Sequence, residues 1–164
     1  MVCRSFSTRK IILILLLSLN CSALSSVGKG LLTFTIFNFE IYELELKSLK
    51  KVSSLEELKS QKEYELVFTF KRDIDKKYLK KAWTEASEKL GDKNLVQYFN
   101  QLEKLQPSMK EGEVIKIVSN DNVVHFKFPG KFAEFDSREL RLSLPWIWLG
   151  DNEVGEKLSE QIFK

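Results

Sequence analysis

One ten-residue segment constrains the fold most, because apolar and polar residues alternate along it. The segment is EYELVFTFKR, residues 63–72. Successive side chains of a strand point to opposite faces, so Tyr64, Leu66, Phe68 and Phe70 share one face. The residues between them, which are mostly polar, share the other. This pattern is typical of an antiparallel strand with one buried face.

Similar alternation predicts further strands on both sides of a helical block. Residues 31–46 alternate in two runs separated by Asn38, and asparagine tolerates the backbone of a tight turn, so we expect a hairpin there. Residues 113–128 give two short strands around the turn sequence NDN, and KFAEF adds another strand. Before the first strand, Gly28 and Gly30 in VGKG are interpreted as a flexible start of the mature chain.

The predicted order is strands, two helices, further strands and then two more helical segments. The helical segments run from Asp73 or Asp75 to Leu90 with Gly91 as a stop, from about Lys93 to Leu105, from Asp136 or Ser137 through SRELRLSLPWIWLG, and through the terminal GEKLSEQIF. Pro145 is expected to bend or break the third helix. The predicted class is α+β, an antiparallel β-sheet covered mainly on one face by helices.

The first 23 residues predict a secretory signal peptide. A basic start precedes the apolar run IILILLLSL, and Cys21 and Ala23 supply small residues before a cleavage site. The run is about half the ~20 residues that a membrane span needs. Cleavage after Ala23 is favoured over a retained anchor or an acylated Cys21. The expected organisation is a signal peptide at 1–23 and one domain at 24–164, which is periplasmic or secreted and not an integral membrane protein.

Charge and residue usage exclude several classes of function. Residues 1–23 hold three basic and no acidic residues, which leaves 23 of each kind in the body. A neutral body gives no electrostatic reason to bind nucleic acid. Both cysteines lie in the predicted signal peptide, and His125 is the single histidine. We therefore expect no metal site, no cofactor and no Ser-His triad, and strand alternation places His125 at the surface or rim.

Four segments together resemble the chalcone isomerase-like proteins, in particular their bacterial secreted branch. They are FNFEIYELEL, LVFTFKRDI, MKEGEVIKI and IWLG, and the resemblance runs from about Gly28 to Phe163. It implies the open-faced β-sandwich of chalcone isomerase, in agreement with the layout above. It also implies a catalytic or carboxylate-binding arginine on the first hairpin, which this chain lacks. By alignment to Tyr42, Thr33 or Thr35 stands where that arginine is expected.

The resemblance implies a cleft between the sheet and the helices, and the candidate ligand-binding residues are Thr33, Thr35, Phe37, Arg72, Tyr78 and Ala82. Without the arginine, catalysis loses its main stabiliser of negative charge, so no catalytic residue is assigned. The predicted function is non-catalytic binding of a hydrophobic small molecule such as a fatty acid. The alternatives are an isomerase-like enzyme of unknown substrate and a cell-envelope protein-interaction module.

The segment LPWIWLG places two tryptophans two positions apart near the chain end. On a helix, Trp146 and Trp148 then point in different directions, so they are not expected to serve one small pocket together. At least one should anchor its helix to the sheet, because aromatic side chains dominate core burial.

Overall fold

A computed structural model describes residues 23–34 and 39–164. The elements are β1 (Ser25–Phe34), β2 (Phe39–Ser48), α1 (Leu55–Ser60), β3 (Glu63–Phe70), α2 (Lys76–Leu90), α3 (Val96–Leu105), β4 (Val114–Asn120), β5 (Val123–Phe128), β6 (Lys131–Asp136), α4 (Arg138–Leu149) and α5 (Glu153–Ile162). The predicted signal peptide, apart from Ala23, and the predicted turn at Asn38 lie outside the described residues.

The six strands form one antiparallel sheet in sequence order, β1 to β6. The register aligns Leu46 with Leu66, Leu66 with Ile117 and Ile117 with Phe126, so one apolar row crosses four strands. All four of these side chains are fully buried. The predicted class is therefore confirmed as α+β, with the core between the sheet and its helices.

The other face of the sheet carries charged pairs instead of a second core. Lys29 meets Glu43 at 3.2 Å, and Lys116 meets Glu65 at 3.5 Å. His125 lies on this face, half-buried, with its Nδ1 3.3 Å from a Glu134 carboxylate oxygen. The placement of His125 away from the core agrees with its predicted strand alternation.

Helix α2 begins and ends as its sequence predicts. Asp75 is the N-cap, and its side chain accepts the Lys77 backbone N–H. Gly91 ends the helix with a φ of 65°, a left-handed conformation that glycine adopts without steric cost. Helix α3 begins later than predicted, at Val96, because residues 92–95 form a turn held by Asp92.

Helix α4 is not broken at Pro145, in contrast to one of the two outcomes expected from sequence. Proline has no N–H, so the Arg141 carbonyl four residues earlier loses its intrahelical partner. The buried Tyr64 hydroxyl donates to that carbonyl at 2.7 Å. A sheet side chain thus replaces the missing helical hydrogen bond, and α4 continues to Leu149.

Helix α5 packs directly against β1, and this contact corrects the interpretation of VGKG as flexible. Gly28 and Gly30 lie within β1. A Cβ on Gly28 would stand 2.2 Å from the Ile162 carbonyl oxygen, so only glycine allows this approach. The Gln161 side chain also accepts the Leu31 backbone N–H at 2.9 Å and donates to the Leu31 carbonyl at 3.4 Å.

Candidate functional site

A cavity of about 700 Å³ lies between the sheet and helices α2, α4 and α5. Its sheet wall comes from β1 to β4, and its helical walls carry both aliphatic and aromatic side chains. The described residues that form its apolar lining are Leu32, Phe39, Ile41, Tyr42, Phe68, Phe70, Ile74, Tyr78, Leu79, Ala82, Trp83, Ala86, Ile115, Ile117, Trp146, Ile147, Trp148 and Val154. This volume falls within the usual range for small-molecule sites.

Aromatic rings in mutual contact form one side of this cavity. The Tyr42 ring meets the Phe68 ring edge-on, with centroids 5.3 Å apart. Trp148 lies 4.8 Å from Phe68 and 5.8 Å from Trp83, again measured between ring centroids. These edge-on and tilted geometries are the favourable ones for aromatic pairs, so the rings support each other in place.

Two polar side chains of the lining are already engaged in internal hydrogen bonds. The buried Gln106 accepts the Trp83 indole N–H at 2.9 Å and donates to the Pro107 carbonyl at 2.9 Å. Asn152 accepts the Gly155 N–H as the N-cap of α5, and its amide donates to the Trp146 carbonyl. Both residues therefore hold the walls together.

Tyr42 presents a neutral hydroxyl in the cavity. Burial raises the pKa of Tyr42 well above its ordinary value, and a hydrogen bond with the Trp148 side chain opposes that shift. The hydroxyl therefore keeps its proton throughout the physiological range. Tyr42 lies on β2, where it pairs with Leu32 of β1 and with Phe70 of β3.

The mouth of the cavity is marked by exposed lining residues with charges of both signs. Arg72 places its guanidinium carbon 4.8 Å from the centroid of the Phe39 ring. The other charged lining residues are Asp73, Asp75, Glu85 and Lys89. Tyr78, which is 61% exposed, lies at the same opening under the ammonium group of Lys77.

The structure brings three of the six candidate residues to this cavity. Arg72, Tyr78 and Ala82 line it, and all three are exposed. Thr33 is not among the described lining residues; it pairs with Glu40, and its neighbour Leu32 lines the cavity instead. Thr35 and Phe37 lie outside the described residues. Ligand binding by these residues stays a prediction.

Trp146 and Trp148 both line the cavity. The expectation that they would not serve one small pocket together does not apply to a cavity of about 700 Å³ that several elements form. Trp148 also packs against the core, which confirms that one tryptophan anchors the helix.

Sequence reasoning missed Tyr42, Trp83 and Gln106 as cavity residues. The family resemblance uses Tyr42 only as an alignment point, and Trp83 is one apolar position of the amphipathic helix α2. For Tyr42 and Trp83, the signal in the sequence is a hydroxyl or an indole N–H on a predicted buried face. A buried polar group of this kind must be hydrogen-bonded, so it marks a position with a specific partner.

Within residues 23–34 and 39–164, no three His, Cys, Asp or Glu side chains lie close enough together to hold a metal ion. In the same ranges, no helix has the length and apolar character to cross a membrane.

A one-sided helical layer on an antiparallel sheet, with a cavity between the layers, defines the class of open-faced β-sandwich proteins. Within that class the chain belongs to the chalcone isomerase-like family, whose model matches residues 19–163. A solved structure with a similar fold is a fatty-acid binding protein of Arabidopsis thaliana. It is 11% identical, with a TM-score of 0.62, and the match covers 85% of this chain and 86% of that one. No curated protein matches the sequence significantly.

Proposed function

We propose that the protein is a non-catalytic, exported member of the bacterial secreted branch of its family, which binds a hydrophobic ligand such as a fatty acid or another lipid-like molecule in the periplasm. The observation that carries this proposal is the cavity of about 700 Å³ with its predominantly apolar lining. Family membership and a plant neighbour described as fatty-acid binding support it. The basic and apolar N-terminus supports export.

Apolar burial supplies the affinity that this proposal needs. Each Å² of apolar surface removed from water contributes ~25 cal/mol, so an acyl chain gains most of its binding free energy without an ion pair. Phe68, Trp83 and Ile117 lie within a continuous core, so this wall is formed before any ligand arrives. A preformed wall reduces the ordering cost of binding.

The residue opposite Tyr42 supports a non-catalytic role. The ring closure that the family resemblance implies needs a cation near the developing oxyanion. Here Leu32 pairs with Tyr42 and lines the cavity. An aliphatic side chain cannot stabilise that charge.

The charged sheet face does not favour the interaction-module alternative. An interaction surface is often a contiguous exposed apolar patch. The outer face of the sheet instead carries charged pairs such as Lys29–Glu43 and Lys116–Glu65. Phe132 is the large exposed apolar side chain among its described residues, and it stacks on His125.

The test measures ligand retention and chalcone turnover in the same preparation. Mature protein is purified without detergent, and bound lipid is identified by mass spectrometry. Displacement of a fluorescent fatty-acid probe then gives affinity, and flavanone formation from chalcone is assayed in parallel. All three tryptophans line the cavity, so quenching or a shift of their emission should accompany binding.

A matched pair of variants locates the binding site. Ala82→Trp adds bulk at the cavity mouth and should weaken probe binding by about tenfold or more. Lys81→Trp adds the same side chain at the preceding position of α2. Lys81 does not line the cavity, so this variant should leave the affinity for the probe unchanged. Flavanone formation well above background would refute the non-catalytic proposal. Absence of both retained lipid and probe displacement would refute ligand binding and favour the interaction module.

A further inference from the structure

We propose that the ligand is an electrically neutral amphiphile, an acyl or alkyl chain that ends in a carbonyl or hydroxyl group, and that Tyr42 donates a hydrogen bond to this oxygen. This inference rests on the proposed function and narrows its ligand class. It excludes a free carboxylate as the preferred head group inside the cavity.

Among the described lining residues, none offers a positive charge inside the cavity to a buried carboxylate. Among the described lining residues the cationic side chains are Arg72 and Lys89, and both are exposed. Residues 31–46 contain neither arginine nor lysine, and Lys29 and Lys47 of the first hairpin pair with Glu43 and Glu65 on the outer face of the sheet. Burying an ionised carboxylate without a charged partner is far more costly than burying a neutral oxygen.

The mouth of the cavity does not attract anions. Its charged lining residues are two cations and three carboxylates, and the Lys77 ammonium over Tyr78 adds a third cation, so the opening has no net positive charge. Asp73 and Asp75 lie beside Arg72 in the chain and accept backbone N–H groups of Glu111 and Lys77, at 2.9 and 2.8 Å. The mouth of the cavity therefore presents two fixed carboxylates to an anionic head group.

The Tyr42 hydroxyl suits a neutral acceptor. The Trp148 indole N–H near this hydroxyl can only donate, so it does not compete for the Tyr42 proton. The Tyr42 proton then remains available for a ligand oxygen. Gln106 and Asn152 are already engaged within the walls. One neutral donor in an apolar cavity matches an ester, ketone or alcohol oxygen.

The experiment compares ligands that differ only in their head group. Dodecanol, methyl dodecanoate and dodecanoate compete at pH 8, below their aggregation limits, for a neutral fluorescent probe on the mature protein. We expect the alcohol and the ester to bind at least about tenfold more tightly than the carboxylate. Tyr42→Phe should weaken the binding of the alcohol and of the ester by up to about tenfold and leave the binding of dodecane unchanged, because the substitution removes one hydrogen bond and retains the ring.

A gain-of-charge pair completes the test. Leu32→Arg places a cation opposite Tyr42 and should raise dodecanoate affinity, whereas Leu31→Arg places it on the outer sheet face, opposite Glu43, and should not. Each variant is first checked for wild-type secondary structure and thermal unfolding. Dodecanoate binding as tight as that of the alcohol in the wild-type protein would overturn the inference and leave the proposed function intact. Failure of all the ligands and of the probe to bind would overturn the proposed function itself.

Discussion

Replacement of Trp148 by alanine tests the proposal that this side chain fixes α4 on the sheet. The indole ring lies between a sheet residue, Phe68, and a helix residue, Trp83, with centroid distances of 4.8 and 5.8 Å. It therefore links the last turn of α4 both to β3 and to α2. Its removal takes away contacts with two different elements.

The expected loss of unfolding free energy follows from burial. Truncation of a large aromatic side chain in a core costs about 3–5 kcal/mol. Trp148 is half-buried and one side of its ring faces the cavity, so we expect the lower end of that range, about 3 kcal/mol. With a urea m-value of about 2 kcal/mol per M, the midpoint should fall by about 1.5 M.

The assay is urea unfolding of the mature protein followed by far-ultraviolet circular dichroism. Trp146→Ala is the matched control, because Trp146 lines the same cavity but is not packed on the core cluster. It should lose less than half as much stability. Unchanged midpoints in both variants, or an equal loss in the two, would refute the assignment of Trp148 as the anchor.

The remaining predictions concern processing, packing and alkaline stability. Export should leave a mature chain that begins at Leu24, and N-terminal sequencing that finds an intact or acylated N-terminal segment would contradict this. Gly28→Ala should destabilise by about 3 kcal/mol in thermal unfolding because its Cβ meets the Ile162 carbonyl oxygen at 2.2 Å; a wild-type melting temperature would contradict it. Burial raises the pKa of both Tyr42 and Tyr64, so above about pH 10 the unfolded chain releases protons that the folded chain holds. In urea unfolding, stability should then fall by up to about 1.4 kcal/mol per pH unit for each tyrosine between about pH 10 and pH 12, and Tyr42→Phe should halve the slope.

The sequence was most informative where a local rule decides the structure. Strand alternation identified the buried face of β3, and the cap residues Asp75 and Gly91 marked the ends of α2. These features depend on neighbours in the chain, so a single sequence contains them. The behaviour of Pro145 does not, because the hydroxyl that replaces its hydrogen bond comes from Tyr64, far away in sequence.

The cavity residues were harder to identify because they depend on register. The pairing of β1 with β2 shifts between Leu32 and Thr33, so counting back from the Phe34–Phe39 pair gives Leu31, and not Leu32, as the partner of Tyr42. A bulge of this kind leaves no clear mark in the sequence. The glycines of VGKG likewise had no local explanation until α5 was seen packed against them.

The contact of Gln161 with Leu31 has a consequence for solubility. An edge strand exposes unpaired backbone groups that can recruit a strand from another molecule and start aggregation. The Gln161 amide bonds both the N–H and the carbonyl of Leu31, as one residue of a neighbouring strand would. On the opposite edge, β6 has a charged residue at every second or third position, including Lys131, Glu134 and Asp136. The two edges of this sheet are thus protected in different ways, one by an amide that imitates a strand and the other by charge.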